Sequence, residues 1–424
     1  MNDNKKCNIN KVKESVGSGR FDKYFLMDEK DVLEYVKEKL DFFEDTSNLE
    51  CKEIGDGNLN YVFKIVDAKS NKSMILKHSS EDTRAKSGRK LNTDRNILEC
   101  KILQLYNKYC PQFAPEIYMY DEVMNCYAME DLSKYTIMRT ALLQNKTFSH
   151  FADNITTFMV NTLLPTTDVV LNHKQKKQLV KRHINPDLCD ISEQLVFTDP
   201  FGNFSGENIV LDLMKEFVQE NLYDDVKLRL EAAKLKFNFM NNAQALLHGD
   251  LHTGSIFINE DDIKVIDPEF AFYGPIGYDV GNVIANLFLA WGHGYAAIEN
   301  QEERLGYLSS IEKCIIDIVN MFKNKFIEKF RKEVADLLAE TEGFDDWYLE
   351  GVLEDTAGSV GLEIIRRIVG DAKVLDITSI KEEEKRVEIE KILILTGKEF
   401  IINRSHHKTG EKFIETLKKY SKCS

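Results

Sequence analysis

The stretch from His248 to Asp279 constrains this chain most, because it sets three acids around two short strand-like runs. Asp250 precedes the first run, and Asp267 and Glu269 follow the second. The turn residues 259–262 predict a hairpin, which folds the second run back along the first. We therefore expect the three carboxylates to meet at one end of the hairpin.

Carboxylates in this arrangement suit two chemical tasks. One acid can accept a proton from an alcohol, and two can hold a divalent cation, which prefers carboxylate and water oxygens. The alternative is structural, with Asp250 capping a loop and Asp267 and Glu269 solvated in a turn. The functional interpretation is favoured by the residues that constrain the backbone on both sides, namely His248, Gly249, Pro268 and the pair Gly274-Pro275.

The order HGD, hairpin, DPE resembles the catalytic and metal-binding loops of the aminoglycoside phosphotransferase and choline kinase group, which shares the protein-kinase architecture. Within that group, the wording HGDLHTGSI and DPEFAFYGPIGYDVGN is similar to the methylthioribose kinase family. The group usually has Asn five residues after the catalytic Asp, where it helps to hold a cation, and this chain has Ser255. In methylthioribose kinases, Ser at this place is the familiar form.

A glycine turn lies between two predicted strands, 49–54 and 61–66, in the N-terminal part of the chain. Gly55 and Gly57 permit a tight turn whose amides can face a phosphate. The alternative is an ordinary hairpin turn without a ligand. By resemblance, Asn60 and this turn would close over the nucleotide.

Lys77 ends a third predicted strand, 74–78, and Glu99 lies on the helix predicted after it, 91–108. Such a pair matches the ion pair that positions ATP phosphates in kinase-like lobes. The alternative is a solvated strand end. The apolar face of the helix is predicted from Ile97, Leu98, Ile102 and Leu105.

Residues 130–132 follow the fifth predicted strand. In kinase-like folds, the linker at this place pairs with adenine through its backbone, so the resemblance assigns ATP binding to Glu130, Asp131 and Leu132. A helix N-cap at Asp131 or Ser133 is a compatible structural interpretation.

Arg366 and Arg367 stand in the helical run GLEIIRRIVG. Consecutive helical positions point about 100° apart, so both side chains reach one pocket only at a helix edge. A solvated surface pair is the alternative, but the flanking isoleucines and valine predict partial burial and an anionic partner. By resemblance, the pair lines the sugar site beside Asp250.

The resemblance implies an ATP- and Mg²⁺-dependent kinase that phosphorylates the anomeric hydroxyl of 5-methylthioribose, for methionine salvage. Asp250 would accept the proton, and Asp267, Pro268 and Glu269 would bind ATP, with the two acids holding Mg²⁺. Lys77 would contact phosphate, while His248 and Ser255 would support the site. Two alternatives stay open. One is a related kinase acting on choline, homoserine or an aminoglycoside, and the other is a catalytically inactive nucleotide-binding module.

Composition narrows the class of partner. A net charge of −14 argues against nucleic acid or an anionic membrane as the main partner. Eight cysteines without a C-x-x-C pair indicate reduced thiols and a cytoplasmic protein. The apolar run Val280 to Trp291 is too short to span a bilayer. The resemblance adds a small-molecule sugar as substrate and a homodimer as the assembly.

The predicted fold is α+β and bilobal, like a protein kinase. A polar segment, 1–27, precedes an ATP-binding lobe, 28–130, built from an antiparallel sheet plus a helix. A mainly helical catalytic and substrate-binding lobe, 131–424, completes the chain. Within it, Ser309 and Glu312 form a capping-box pattern that predicts the start of a long helix continuing through Leu338.

Overall fold

The computed structural model describes residues 19–54, 60–79 and 94–422. The chain forms two compact units, which divide between Lys134 and Tyr135. The predicted glycine turn, with Gly55 and Gly57, lies outside the described residues.

A five-stranded antiparallel sheet forms the centre of the first unit. Its strands follow the spatial order β1-β2-β3-β5-β4, and their bounds are Leu49–Glu53 (β1), Asn60–Asp67 (β2), Ser73–Ser79 (β3), Ile117–Asp121 (β4) and Cys126–Glu130 (β5). Strand β3 is buried along nearly its whole length because β2 and β5 pair with its two edges. Lys77 lies opposite Val62 and Tyr127, so it stands inside the sheet and not at a solvated strand end.

Two helices pack in the first unit, α1 (Glu29–Lys39) and α2 (Asp94–Tyr109). Asp28 caps α1 by accepting the amides of Lys30 and Asp31, both at 2.9 Å. Helix α2 buries Ile102, as predicted, but Ile97, Leu98 and Leu105 are only half-buried, so the buried face is rotated from the predicted one. Glu99 lies on the buried face together with the apolar side chains Cys100, Leu103 and Tyr106.

The second unit is mainly helical. Its helices are α3 (Met138–Leu143), α4 (Phe151–Leu163), α5 (His173–Arg182), α6 (Pro186–Ser192), α7 (Lys215–Val218), α8 (Val226–Asn241), α9 (Ile276–Ala297), α10 (Gln301–Glu333), α11 (Phe344–Val369), α12 (Leu375–Thr378), α13 (Glu383–Ile402) and α14 (Gly410–Ser421). Its short strands are β6 (Thr136–Ile137), β7 (Ala245–Leu246), β8 (Ile256–Ile258), β9 (Ile263–Val265) and β10 (Tyr273–Gly274). The predicted hairpin is confirmed, since β8 pairs antiparallel with β9.

Helices α9 and α11 pack closely in the core of the second unit. A Cβ at Gly277 would lie 2.4 Å from the backbone nitrogen of Thr356, so only glycine permits this approach. The contact brings the buried acid Asp279 on α9 near the C-terminal half of α11, which carries both predicted arginines.

The predicted start of the long helix at Ser309 is wrong. Helix α10 begins after Asn300, whose side chain accepts the amide of Glu303 at 3.1 Å, and Ser309 lies two turns inside it. The helix ends at Glu333, so Leu338 does not belong to it. A capping-box pattern does not mark the start of a helix when an earlier residue already supplies the N-cap.

The predicted fold class is confirmed, with an antiparallel sheet in the N-terminal unit and a mainly helical C-terminal unit. The run from Val280 to Trp291 lies inside the 22-residue helix α9. Among the described residues, no helix combines the length and the apolar character needed to cross a membrane.

Candidate active site

Residues 247–255, which we call the HGD loop, connect β7 to β8. The carboxylate of Asp279 accepts two backbone hydrogen bonds from it, from His248 N at 2.7 Å and from Gly249 N at 3.0 Å. Burial raises the pKa of Asp279 to about 7. One carboxylate on α9 therefore fixes the two residues before Asp250.

The ring of His248 fixes the same loop from another side. Its Nε2 lies 2.9 Å from the carbonyl oxygen of Ile266, and its Nδ1 accepts the amide of Asp250 at 3.3 Å. The proton therefore sits on Nε2. Burial lowers the pKa of His248 to about 4, so the ring is neutral at pH 7.

Gly249 adopts a φ of +83°, and a Cβ there would lie 2.2 Å from the carbonyl oxygen of Phe270. We expect Gly249→Ala to lower the free energy of unfolding by about 1–3 kcal/mol, because the backbone is strained and the Phe270 segment must move. Turnover should fall too, since Asp250 follows directly. The matched control is Gly306→Ala in α10, where a Cβ meets nothing within 4 Å. Urea denaturation that ranks the two variants equally would contradict this prediction.

Asp250 lies among cationic and polar side chains. Its Oδ1 is 3.3 Å from Nη2 of Arg366 and 3.7 Å from Nη2 of Arg367, and its Oδ2 is 3.3 Å from Nε2 of His252. The Asp250 side chain keeps 27% of its surface exposed. The carboxylate is therefore oriented on both oxygens and still accessible to a small molecule.

Burial by itself would raise the pKa of Asp250, but His252, Arg366 and Arg367 outweigh it and hold that pKa well below the usual 3.8. The group is thus an ionised carboxylate at neutral pH. It can align a hydroxyl and take its proton once the oxygen of that hydroxyl forms a bond elsewhere.

His252 orients Asp250, and the sequence interpretation did not include it. Its Nδ1 accepts the amide of Gly254 at 3.1 Å, so Nε2, which faces Asp250, carries a ring proton. The Ser255 hydroxyl lies 3.2 Å from the same Nδ1 and 3.3 Å from the carbonyl oxygen of Asp250. Ser255 is buried and holds the HGD loop together.

Arg366 and Arg367 are each 7% exposed, and both pair with the buried acid Glu363 in addition to Asp250. Oε2 of Glu363 accepts a hydrogen bond from Nε of Arg366, and Oε1 accepts one from Nε of Arg367 at 2.8 Å. Burial would raise the pKa of Glu363, but the two arginines lower it to about 2. Both Nη2 atoms are thereby left to point at Asp250.

The sequence interpretation also missed Glu363, although a signal was present. Glu363 precedes the two arginines by three and four residues, the spacings at which helical side chains meet. An Arg pair that carries its own buried acid is preorganised before any ligand arrives.

The DPE segment begins directly after β9. Asp267 has a φ of +67°, and Glu269 is 7% exposed. The Asn185 side chain donates to the carbonyl oxygens of Glu269 at 2.8 Å and Ala271 at 3.1 Å, which fixes the segment beyond Pro268. Asn185 gave no signal in the sequence, because it lies 84 residues from Glu269.

In the first unit, the structure brings Lys77 and Glu99 together. Nζ of Lys77 lies 2.7 Å from Oε1 of Glu99, which also accepts the hydroxyl of Tyr127 at 2.7 Å. Lys77 is 7% and Glu99 1% exposed, so the pair is shielded from water. Asn60, at the start of β2, is buried and accepts the hydroxyl of Ser79 at 2.7 Å.

Residues 130–132 continue from β5. The carboxylate of Asp131 accepts the hydroxyl of Ser73 at 2.6 Å and lies 2.9 Å from Nζ of Lys64, so its charge is used within the protein. Leu132 is buried, and Glu130 pairs with the backbone of Glu116. The side chains of Asp131 and Glu130 are thus both engaged within the first unit.

Comparison with known proteins identifies the family of this chain. A model of the phosphotransferase enzyme family (APH) matches residues 208–309. A methylthioribose kinase of Geobacillus sp. (strain WCH70) is 38% identical over 367 residues, 86% of this chain and 89% of that protein. A methylthioribose kinase of Bacillus cereus (strain 03BB102) is 38% identical over 380 residues, 89% of this chain and 93% of that protein. The chain belongs to the methylthioribose kinase family.

A solved structure, choline kinase from Cryptosporidium parvum Iowa II, is 13% identical, covers 92% of this chain and 96% of its own, and has a TM-score of 0.46. Membership of the methylthioribose kinase family makes the chain an enzyme, a small-molecule phosphotransferase. The general match, residues 208–309, contains the HGD loop and the DPE segment but not Arg366 or Arg367.

Proposed function

We propose that this enzyme transfers the γ-phosphoryl group of ATP to the anomeric hydroxyl of 5-methylthioribose. The product would be 5-methylthioribose 1-phosphate, an intermediate of methionine salvage. The observation that carries the proposal is the contact between Asp250 and Arg366 at 3.3 Å. Arg366 and its neighbour Arg367 are both held in place by the buried acid Glu363. Membership of the methylthioribose kinase family supports 5-methylthioribose as the acceptor.

Asp250 would orient the anomeric hydroxyl and accept its proton as the oxygen bonds to phosphorus. Its depressed pKa makes it a weak base, which is sufficient because a loose transition state needs little deprotonation of the attacking oxygen beforehand. His252 would keep the carboxylate in one orientation. Phosphoryl transfer depends mostly on positioning and on neutralising charge, which are the two tasks this cluster can perform.

Arg366 and Arg367 would neutralise the charge that develops on the phosphoryl group. Each already shares Glu363, so the pair does not reorganise when that charge appears. The net charge of the whole chain is −14, so this positive charge has to be concentrated locally.

The first unit would bind ATP, as the predicted ATP-binding lobe 28–130. Lys77 would contact phosphate, oriented by Glu99. Gly55, Gly57 and Asn60 would close over the nucleotide, and the backbone of residues 130–132 would pair with adenine. Residues 131–424 would carry the catalytic and acceptor-binding groups.

The DPE segment suits Mg²⁺ by the chemistry of its donors. Asp267 and Glu269 offer carboxylate oxygens, which Mg²⁺ prefers, and it takes the rest of its ligands from water and phosphate. Within the described ranges, no group of three or more acidic, His or Cys side chains forms a metal cage, as expected for an ion held mainly by substrate. Bound Mg²⁺ would neutralise phosphate charge.

Asp267→Ala should raise the magnesium concentration needed for half-maximal ATP binding by about tenfold or more, and Glu269→Gln by less. The reason is that each variant removes an anionic oxygen ligand. Titration calorimetry of ATP at several magnesium concentrations measures the change. The exposed turn variant Asp261→Ala is the control. An unchanged magnesium dependence in both DPE variants would place the cation elsewhere.

A substrate panel with magnesium-ATP, scored by ADP release, tests the proposed function. It contains 5-methylthioribose, choline, homoserine and an aminoglycoside. We expect turnover with the sugar alone, because cationic acceptors favour acids where this chain has Arg366 and Arg367. Turnover with a cationic acceptor would support a related kinase, and ATP binding without any turnover would support an inactive module. Family resemblance also suggests a cytoplasmic homodimer. Analytical ultracentrifugation would measure whether the protein is a dimer.

A further inference from the structure

A third arginine, Arg139, lies at the HGD loop. It stands in the first turn of α3, and its backbone N–H donates to the carbonyl oxygen of Thr253 at 3.0 Å. The side chain is mostly buried, with 17% of its surface exposed. Burying a guanidinium costs free energy unless its N–H donors have hydrogen-bonding or ionic partners. The partner of each nitrogen of Arg139 is therefore informative.

Two of the three nitrogens have partners inside the protein. Nε forms an ion pair with Oδ2 of Asp376 on α12 at 3.3 Å, although the geometry is not that of a hydrogen bond, and Nη2 donates to Oδ1 of Asn286 on α9 at 2.8 Å. Asn286 also lies 3.4 Å from the carboxylate of Glu363, the acid that holds Arg366 and Arg367. Arg139 therefore belongs to the same rigid network as the Arg pair.

The third nitrogen, Nη1, faces the HGD loop. A Cβ at Gly254 would lie 3.1 Å from Nη1 and 2.9 Å from Cε1 of His252, so both atoms border the same small space. No group in the described part of the chain accepts a hydrogen bond from Nη1 of Arg139. The other edge of the His252 ring, at Nε2, contacts Asp250.

We propose that Arg139 is a specificity-determining residue of the acceptor site, donating from Nη1 to a hydroxyl of the sugar other than the one phosphorylated. This inference rests on the proposed function. The reacting hydroxyl must lie at Asp250, which contacts Nε2 of the His252 ring. Nη1 of Arg139 lies near Cε1 of that ring, so it faces a different position from the reacting hydroxyl. A sugar differs from other small acceptors by its adjacent hydroxyls, so a fixed cationic donor beside the reacting position selects for one.

Asp376 acts on the sugar only through Arg139. Its side chain is 1% exposed and cannot touch a ligand, and burial raises its pKa while Arg139 opposes that rise. Asp376 is thus a positioning residue. Replacing it with Asn keeps its size but loosens the hold on Nε.

The test compares 5-methylthioribose with its 2-deoxy and 3-deoxy analogues in three proteins: the wild type, Arg139→Met and Arg139→Lys. In the wild type, one analogue should lose about 10- to 100-fold in kcat/KM, the range for a hydrogen bond to a charged group. In Arg139→Met, the KM for 5-methylthioribose should rise by a similar factor with kcat nearly unchanged, and the penalty for that analogue should shrink to about threefold or less. Arg139→Lys should recover part of both effects.

Arg331→Met is the matched control, because Arg331 pairs with Asp345 on the surface and is 62% exposed. It should keep the full analogue penalty. If Arg139→Met fails to fold, Asp376→Asn takes its place, and its analogue penalty should shrink in the same way. An unchanged penalty in a folded variant, or a loss in kcat alone, overturns the inference. Absence of wild-type turnover on 5-methylthioribose would instead overturn the proposed function, so the two failures are distinguishable.

Discussion

Asp250→Asn should lower turnover by about 10²-fold or more and leave ATP affinity near that of the wild type. The amide has the shape of the carboxylate but cannot accept a proton from the hydroxyl. It also replaces an anion that three donors contact, from Arg366, Arg367 and His252, so its orientation should be less well fixed. ADP release measures turnover, and calorimetry measures ATP binding.

The matched control for this variant is Asp261→Asn, the same chemical change in the exposed turn of the hairpin. It should behave as the wild type. Near-normal turnover in Asp250→Asn would show that Asp250 has no role in the mechanism. That result would leave membership of the methylthioribose kinase family unchanged.

The pH profile gives a second view of the same carboxylate. The pKa of Asp250 lies well below 3.8 in the folded protein, because nearby cations outweigh the effect of burial. Protonation of Asp250 should therefore not reduce kcat/KM until the pH falls below about 4. An acid limb near pH 6 that vanished in the Asp250→Asn variant would contradict this assignment.

Arg366→Met should lower kcat/KM for 5-methylthioribose, mainly through kcat. The fall should correspond to a loss of about 2–4 kcal/mol in transition-state stabilisation. The acceptor is an uncharged sugar, so its ground state loses little binding energy when the charge is removed. The phosphoryl group loses more, because its charge develops beside the guanidinium. Met keeps the volume and packing of the arginine stem.

Arg367→Met should have the smaller effect of the two. Its Nη2 lies 3.7 Å from Asp250, against 3.3 Å for Arg366, and its Nη1 is engaged by the carbonyl oxygen of Ala372. ATP binding measured without sugar should barely move in either variant. Kinetics equal to those of the surface control Arg331→Met, in a folded protein, would show that neither arginine serves the reaction. Thermal unfolding separates that result from a loss of stability, since Glu363 loses one partner in each variant.

The sequence by itself determined the features that are local in the chain. The hairpin between Ser255 and Ile266 follows from strand-like runs and a turn, and α1 begins where Asp28 caps it. The family resemblance also depends on features that are local in the chain, since HGDLHTGSI and DPEFAFYGP are short sequence motifs. The contact between Lys77 and Glu99 was also predictable, because a strand and the helix after it occur in a fixed order.

Only the tertiary structure decided which charges meet. Asp250 and Arg366 are 116 residues apart, and Asn185 reaches the DPE segment from 84 residues away. Periodicity along one helix does not report such contacts, which arise because α9 and α11 pack closely and α3 docks on the HGD loop. The same cause explains the errors at α2 and α10, where packing and an earlier cap overrode the local pattern. The charges that neutralise one another in this site therefore come from segments that only folding brings together.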